Sequence, residues 1–195
     1  MTTTRQHHTR TARHRRLLAA AAIAATVTTV TAGCSKDDKA APPPPSPTAS
    51  PSPSADPQEA EKAALLGVYR AFWDASLKAY STGSMKNTGM ESVGVDKAYA
   101  KVQATQIYYR DNDFVMTGAP NLSPRVTALD SAAAPPKASI TDCIDSTNYI
   151  QVEKQSGKPV ETMDKNRRHA ATYTALKVGG AWQIRDFDIS RDQLC

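Results

Sequence analysis

The most regular feature of the chain is an apolar stripe at helical spacing. Leu66, Tyr69, Trp73, Leu77 and Tyr80 recur at steps of three and four across residues 58–80, the period of one helix face. Asp56 offers a capping carboxylate and Pro57 suits the first helical position. Glu59 and Glu61 place negative charge where the unpaired N–H groups of a first turn favour it. Gly83 and Gly89 break the pattern, and a second helix is predicted from about Asp96 to Tyr108, with Ala98, Val102 and Tyr109 on one side. Residues 107–109 equally suit the start of a strand.

Beyond Asn112 the texture changes to short β-type runs separated by Pro, Gly and Ser. Strands are predicted over residues 114–117, 125–130, 137–145, 149–154, 169–178 and 182–189. Gly179-Gly180 is a two-residue loop in which both positions tolerate the positive φ of a tight hairpin, with Leu176 and Val178 expected opposite Trp182 and Ile184 on the buried face. Apolar parity then shifts from Trp182 and Ile184 to Phe187 and Ile189, which predicts a bulge in the last strand. Helices first and antiparallel strands afterwards describe an α+β fold, with N-terminal helices packed on a curved antiparallel sheet.

The segment before the first helix has a different character. Residues 1–16 are polar and basic, and residues 17–32 are uncharged and end in small side chains, the layout of a secretory signal peptide over residues 1–33. Sixteen residues of helix reach roughly 24 Å, short of the roughly 30 Å hydrocarbon core of a bilayer. The stretch Thr31-Ala32-Gly33-Cys34 resembles a bacterial lipobox, with Thr31 where Leu is usual. That resemblance implies cleavage before Cys34, lipid on Cys34, and a protein held on the outer face of the plasma membrane. Arg15-Arg16-Leu17-Leu18 also reads as a twin-arginine signal, so the export route stays open. Residues 34–57 carry eight of the 13 prolines and too little apolar area to order themselves. They form a disordered, extended linker of at most roughly 70 Å.

Charge follows the same division. Five of the 24 basic residues, Arg5, Arg10, Arg13, Arg15 and Arg16, lie in residues 1–33, which hold no acid. The 19 basic residues that remain match the 19 acidic ones. A neutral mature chain lacks the concentrated positive field that phosphate binding needs, so a nucleic-acid partner is not expected.

Residues 58–195 hold all 12 aromatic side chains and are of ordinary size for one core. The order of a long aromatic first helix, a second helix and bent strands closing in Gly-Gly-x-Trp-x-Ile resembles the NTF2-like (SnoaL-like, cystatin-like) superfamily. More closely, "SPRVTALD", "ASITDCIDSTNYI" followed by "KQSGKPV", and "GGAWQIRDFDISRDQLC" resemble uncharacterised lipoproteins of actinobacteria with that fold. The resemblance covers about Leu65 to Cys195. It implies a cone between helices and sheet and brings no established activity.

With Cys34 given to lipid, an exported chain most simply pairs its remaining cysteines, Cys143 and Cys195. Of the four histidines three lie in the signal, leaving His169, expected as a solvated strand start beside Arg167 and Arg168. No Gly-rich phosphate loop, CxxC pair or HExxH occurs. Neither a metal, a cofactor nor a catalytic set is expected. Tyr69, Phe72, Trp73, Tyr99, Tyr109, Trp182 and Phe187 are expected to converge between helix and sheet, either as plain core or as the wall of a pocket for an apolar ligand. Asp142, Asp145 and Asp186 are the candidate carboxylates, with Asp142 and Asp186 also expected among the pocket residues. By analogy with NTF2-like isomerases and cyclases an aspartate there acts as a base, while hydrogen-bonded structural roles serve equally. The resulting expectation is a membrane-anchored extracellular lipoprotein whose domain binds an unidentified ligand or envelope protein. The alternative is a small-molecule isomerase or cyclase using an Asp base.

Overall fold

The computed structural model describes residues 56–162 and 164–195. The expected signal peptide, the lipid on Cys34 and the linker up to residue 55 lie outside the described residues.

Helix α1 (Pro57–Thr82) starts where its cap allows. Asp56 sits in extended backbone, its carboxylate accepts the Gln58 N–H at 2.9 Å, and Pro57 opens the first turn. Thus the linker expected to run through residue 57 gives way to the helix at Asp56. The helix stops at Gly83, whose left-handed φ of 69° directs its N–H to the Ala79 carbonyl. Its buried stripe is Leu65, Tyr69, Phe72, Ser76 and Ala79, flanked by Trp73 and Tyr80. Phe72 meets the rings of Tyr173 and Phe187 from the sheet, which turns that face inward and leaves Leu66 and Leu77 half-buried.

A single turn, α2 (Met90–Val93), buries Met90 between Gly89 and Gly94. Helix α3 (Asp96–Asp111) buries Ala98, Val102 and Gln106, and Gln106 donates its amide to the Gly83 carbonyl. Residues 107–109 are therefore helical.

Six strands follow: β1 (Phe114–Gly118), β2 (Arg125–Asp130), β3 (Lys137–Asp145), β4 (Tyr149–Glu153), β5 (Arg168–Val178) and β6 (Ala181–Ile189). They are antiparallel throughout, divided into a four-stranded sheet in the order β2-β3-β5-β6 and a β1-β4 ribbon. The chain is thus α+β, with helices first and antiparallel sheets after them, and the sheets do not close on themselves. The ribbon depends on Gly118. At its φ of 75° a side chain is strained, and a Cβ there falls 1.9 Å from the Asn148 carbonyl oxygen.

The two-residue loop at Gly179-Gly180, with φ values of 60° and 84°, pairs Val178 with Ala181. Counting back, Lys177 opposes Trp182 and Ala175 opposes Ile184, so the inward residues of β5 are Tyr173 and Ala175. The expected partnership of Leu176 and Val178 with Trp182 and Ile184 is corrected: Val178 is 54% exposed. A two-residue loop joins strands at positions i and i+3, and that odd offset reverses the parity. The expected bulge is present, because Thr174 opposes Asp186 while Ala175 opposes Ile184, leaving Arg185 as the extra residue.

Two long-range ties hold the layers. Glu61 on α1 accepts from Lys177 at 2.5 Å and from the Trp182 indole at 2.7 Å, fastening the helix start to the β5–β6 hairpin. The hydrogen bonds from Lys177 and then Trp182 hold its carboxyl below the usual glutamate range. Cys143 on β3 and Cys195 form a disulfide with Cα atoms 5.8 Å apart. This fixes residues 190–195 beside β5, where Ala170 donates to the Gln193 carbonyl and Ser190 to the Ala170 carbonyl, each at 2.9 Å. Among the described residues no helix is long and apolar enough to cross a membrane.

Candidate functional site

Between the helices and the strands lies a chamber of about 500 Å³. Its walls include Phe72, Trp73 and Tyr80 from α1, Tyr109 from α3, Tyr173 from β5 and Phe187 from β6. These rings fix one another: Tyr80 meets Tyr109 edge-on at 5.5 Å, Phe72 meets Phe187 at 5.7 Å, and Tyr173 stacks on Phe187 at 5.6 Å. The volume lies within the usual range for small-molecule sites, and a preformed aromatic wall suits flat apolar groups.

A second chamber of about 270 Å³ shares Trp73, Tyr109, Tyr149, Ile189 and Arg191 with the first. The rest of its lining mixes Met116 and Ile144 with Ser146, Gln151, Thr162, Asn166 and Arg167. Tyr149 stands where the two meet, its ring edge-on to Trp73 at 6.4 Å. Its hydroxyl is buried and has no hydrogen-bond partner among the described residues. A buried phenol that donates to nothing is costly.

Behind the aromatic wall lies a closed polar chain. The Trp73 indole donates to the Tyr69 hydroxyl at 2.8 Å, and that hydroxyl donates to Asp142 Oδ2. The Ser123 N–H donates to Asp142 Oδ1 at 2.6 Å. Both carboxylate oxygens are therefore engaged, and Tyr69 and Asp142 are buried. The network fixes the orientation of the Trp73 ring that both chambers share.

Of the residues expected to form a pocket, Trp73 and Tyr109 are common to both chambers, while Phe72 and Phe187 line the first. Tyr69 and Asp142 sit one layer behind. Tyr99 is half-buried against the core and Trp182 is spent on Glu61, so neither lines a chamber. Asp186 lies within the edge strand β6, ion-paired with Lys101 at 2.7 Å. The hydrogen bond from Lys101 and then the Phe187 N–H hold its carboxyl below the usual aspartate range. Asp145 accepts from the Thr147 N–H and hydroxyl. These aspartates line neither chamber, and the carboxylates that do are Asp188 in the first and Asp164 in the second.

His169 departs from its expected solvated position. It is 8% exposed, with Nδ1 3.1 Å from the Ser190 carbonyl and Nε2 3.2 Å from Asp164 Oδ2. Alternation along β5 turns it inward, and residues 190–195, drawn across by the disulfide, cover it. Sequence reasoning also missed Tyr149 and Tyr173. A tyrosine in an alternating strand reads as generic core, and only sheet register sets its ring against α1. Among the described residues no group of three or more His, Cys, Asp or Glu is placed to hold a metal ion.

Burial pushes the phenols of Tyr69, Tyr80, Tyr109, Tyr149 and Tyr173 above their ordinary range, desolvation of the phenolate being the largest cause in each. Because the folded state holds these protons more tightly than the unfolded chain, their stabilisation is intact below about pH 10 and is lost as pH rises above it. We expect alkaline titration followed by phenolate absorbance to show these five phenols ionising together with unfolding, as read by circular dichroism. Gradual ionisation near pH 10 with the fold intact would show the ring cluster to be open to water.

No family model matches the chain, and no curated protein matches it. Among solved structures the chain is similar to the intermembrane space region of the chloroplast protein ARC6, at 11% identity and a TM-score of 0.41. The match covers 70% of this chain and 98% of that one. So slight a likeness assigns neither a fold family nor an activity.

Proposed function

We propose that the chain is an exported lipoprotein, anchored through Cys34 on the outer face of the plasma membrane, whose NTF2-like domain binds a small, largely apolar ligand without transforming it. The observation that carries the binding reading is the aromatic chamber, preformed and of small-molecule size. The order of helices and strands and the Gly179-Gly180 hairpin support the NTF2-like assignment. Thr31-Ala32-Gly33-Cys34 and the Pro-rich run behind it support the anchor and its spacer. A small ligand is favoured over an envelope protein because the exposed large apolar side chains, Ile107, Tyr108, Val178 and Leu194, are scattered over α3, the β5 end and residues 190–195.

The test uses full-length protein made in a host that processes lipoproteins, extracted from membranes in detergent and weighed by native mass spectrometry. The expected result is a lipid adduct on Cys34, release of Cys34→Ala from the membrane fraction, and a co-purified small molecule that Trp73→Ala loses. Membrane retention of an unlipidated Cys34→Ala overturns the anchor. Failure to recover or bind any apolar molecule overturns the ligand-binding role.

A further inference from the structure

We propose that the bridge between Cys143 and Cys195 is a site of thiol exchange with one direction: a small solution thiol joins Cys195, and Cys143 departs as a thiolate beside Arg168. The two cysteines stand in unlike surroundings. Cys143 belongs to β3, an interior strand of the four-stranded sheet, and is half-buried. Cys195 lies in a stretch whose residues are exposed from Arg191 onward, held to the sheet by the Ala170 N–H, which donates to the Gln193 carbonyl at 2.9 Å. Exchange takes place at the sulfur that a thiolate can reach, and the better stabilised of the two sulfurs leaves.

Arg168 decides which sulfur leaves. Its Nη2 donates to Cys143 Sγ at 3.4 Å. Arg168 opposes Asp145 across the β3–β5 ladder, but that carboxylate accepts from the Thr147 N–H and hydroxyl. Among the described residues the arginines in ion pairs are Arg110, Arg185 and Arg191. The Arg168 guanidinium is therefore left to face the sulfur, and a cation in such contact stabilises a thiolate. The incoming thiolate attacks Cys195 Sγ and forms a new S–S bond to it. The bond to Cys143 breaks, and its electron pair stays on Cys143 Sγ. One disulfide replaces another, with the small thiol as the sole co-reactant. Return attack by Cys143 on the mixed disulfide expels that thiol and recloses the bridge. While it is open, the segment that brings Arg191 to both chambers and the Ser190 carbonyl to His169 has lost its covalent tie. Exchange is thus a reversible latch on that wall.

The probe is reduced glutathione, added to the full chain in detergent and quenched early with acid and N-ethylmaleimide. Peptide mass mapping then reads Cys34, Cys143 and Cys195 separately. The expected result is glutathione on Cys195 and maleimide on Cys143, with the reverse adduct at least about tenfold rarer. Arg168→Gln slows formation of the Cys195 adduct about threefold or more. In Cys195→Ala, where Cys143 is a free thiol, adding Arg168→Gln raises the pH at which iodoacetamide half-reacts with Cys143 by about 1. Circular dichroism melts check that the variants are folded, and the adduct map of the unmodified protein stands without them. Glutathione on Cys143, or on both cysteines alike, overturns the direction. An exchange rate or alkylation midpoint that Arg168→Gln leaves unchanged overturns the role of Arg168. Absence of any adduct on the folded chain, when a guanidinium-unfolded control forms one, overturns the exchange itself.

Discussion

Replacing Cys143 and Cys195 with alanine lowers the stability of the folded domain by about 4 kcal/mol. The bridge closes a sequence separation of 52 residues, and the unfolded chain regains that loop's freedom once it is cut. For a domain of this size the loss corresponds to a fall of about 15 °C in melting temperature. Reduction of the unmodified protein lowers its midpoint by a similar amount. A local effect accompanies the global one. Residues 190–195 carry Arg191 into both chambers, and apart from the disulfide they are tied to the rest of the domain by few bonds: the exchange with Ala170, the contact to His169 and the ion pair of Arg191 with Asp164. Freed of the bridge, this segment exchanges its amides fastest, and the second chamber loses a wall before the domain unfolds. The comparison is made by chemical denaturation and hydrogen exchange of oxidised protein, reduced protein and the double alanine variant. Coincident denaturation curves, or two titratable thiols in the oxidised domain, contradict it.

Asp142→Ala costs about 2–4 kcal/mol. The carboxylate accepts from the Tyr69 hydroxyl in the interior and from the Ser123 N–H in a half-buried bond, and truncation strands the buried phenol. Each unsatisfied buried donor costs about 1–3 kcal/mol, and bonds to a charged acceptor lie at the upper end. Asp142→Asn keeps the shape and one acceptor but turns its amide toward a donor, so a loss of about 1–3 kcal/mol is expected. Tyr69→Phe resembles the alanine variant, because it leaves Asp142 Oδ2 and the Trp73 indole N–H unpaired. Denaturant melts rank these variants, and Trp73 fluorescence reports its altered polar contact. A loss below about 0.5 kcal/mol for Asp142→Ala shows that water reaches the network, and returns Asp142 to the groups a ligand can touch.

Element order and strand boundaries were legible in the sequence for local reasons. The 125–130 and 137–145 strands begin and end where Pro, Ser and Asn make an extended run impossible to continue. The cap at Asp56, the stop at Gly83 and the Gly-Gly hairpin each depend on a few adjacent residues, and the bulge followed from a parity change within one strand. The cysteine pair was reachable by counting, once Cys34 was set aside.

What failed depended on what lies across the gap. Tyr99 and Trp182 read as pocket because they are aromatic, but a ring lines a cavity only if the opposing element stands away from it, and Glu61 reaches over to occupy the Trp182 indole. His169 read as solvated because its sequence neighbours are charged, whereas strand alternation turns it inward and a segment some 20 residues later covers it. Asp142 read either as a base facing a cone or as a hydrogen-bonded structural residue, and the choice between them is made by Tyr69, which reaches it from α1, 73 residues away. The sequence determined which segments become helix or strand, because capping, turn chemistry and periodicity act over a few residues. Which rings wall a chamber, which carboxylates are locked in the core and where Tyr149 is left without a partner were decided by tertiary structure, because burial and hydrogen-bond satisfaction belong to pairs far apart along the chain.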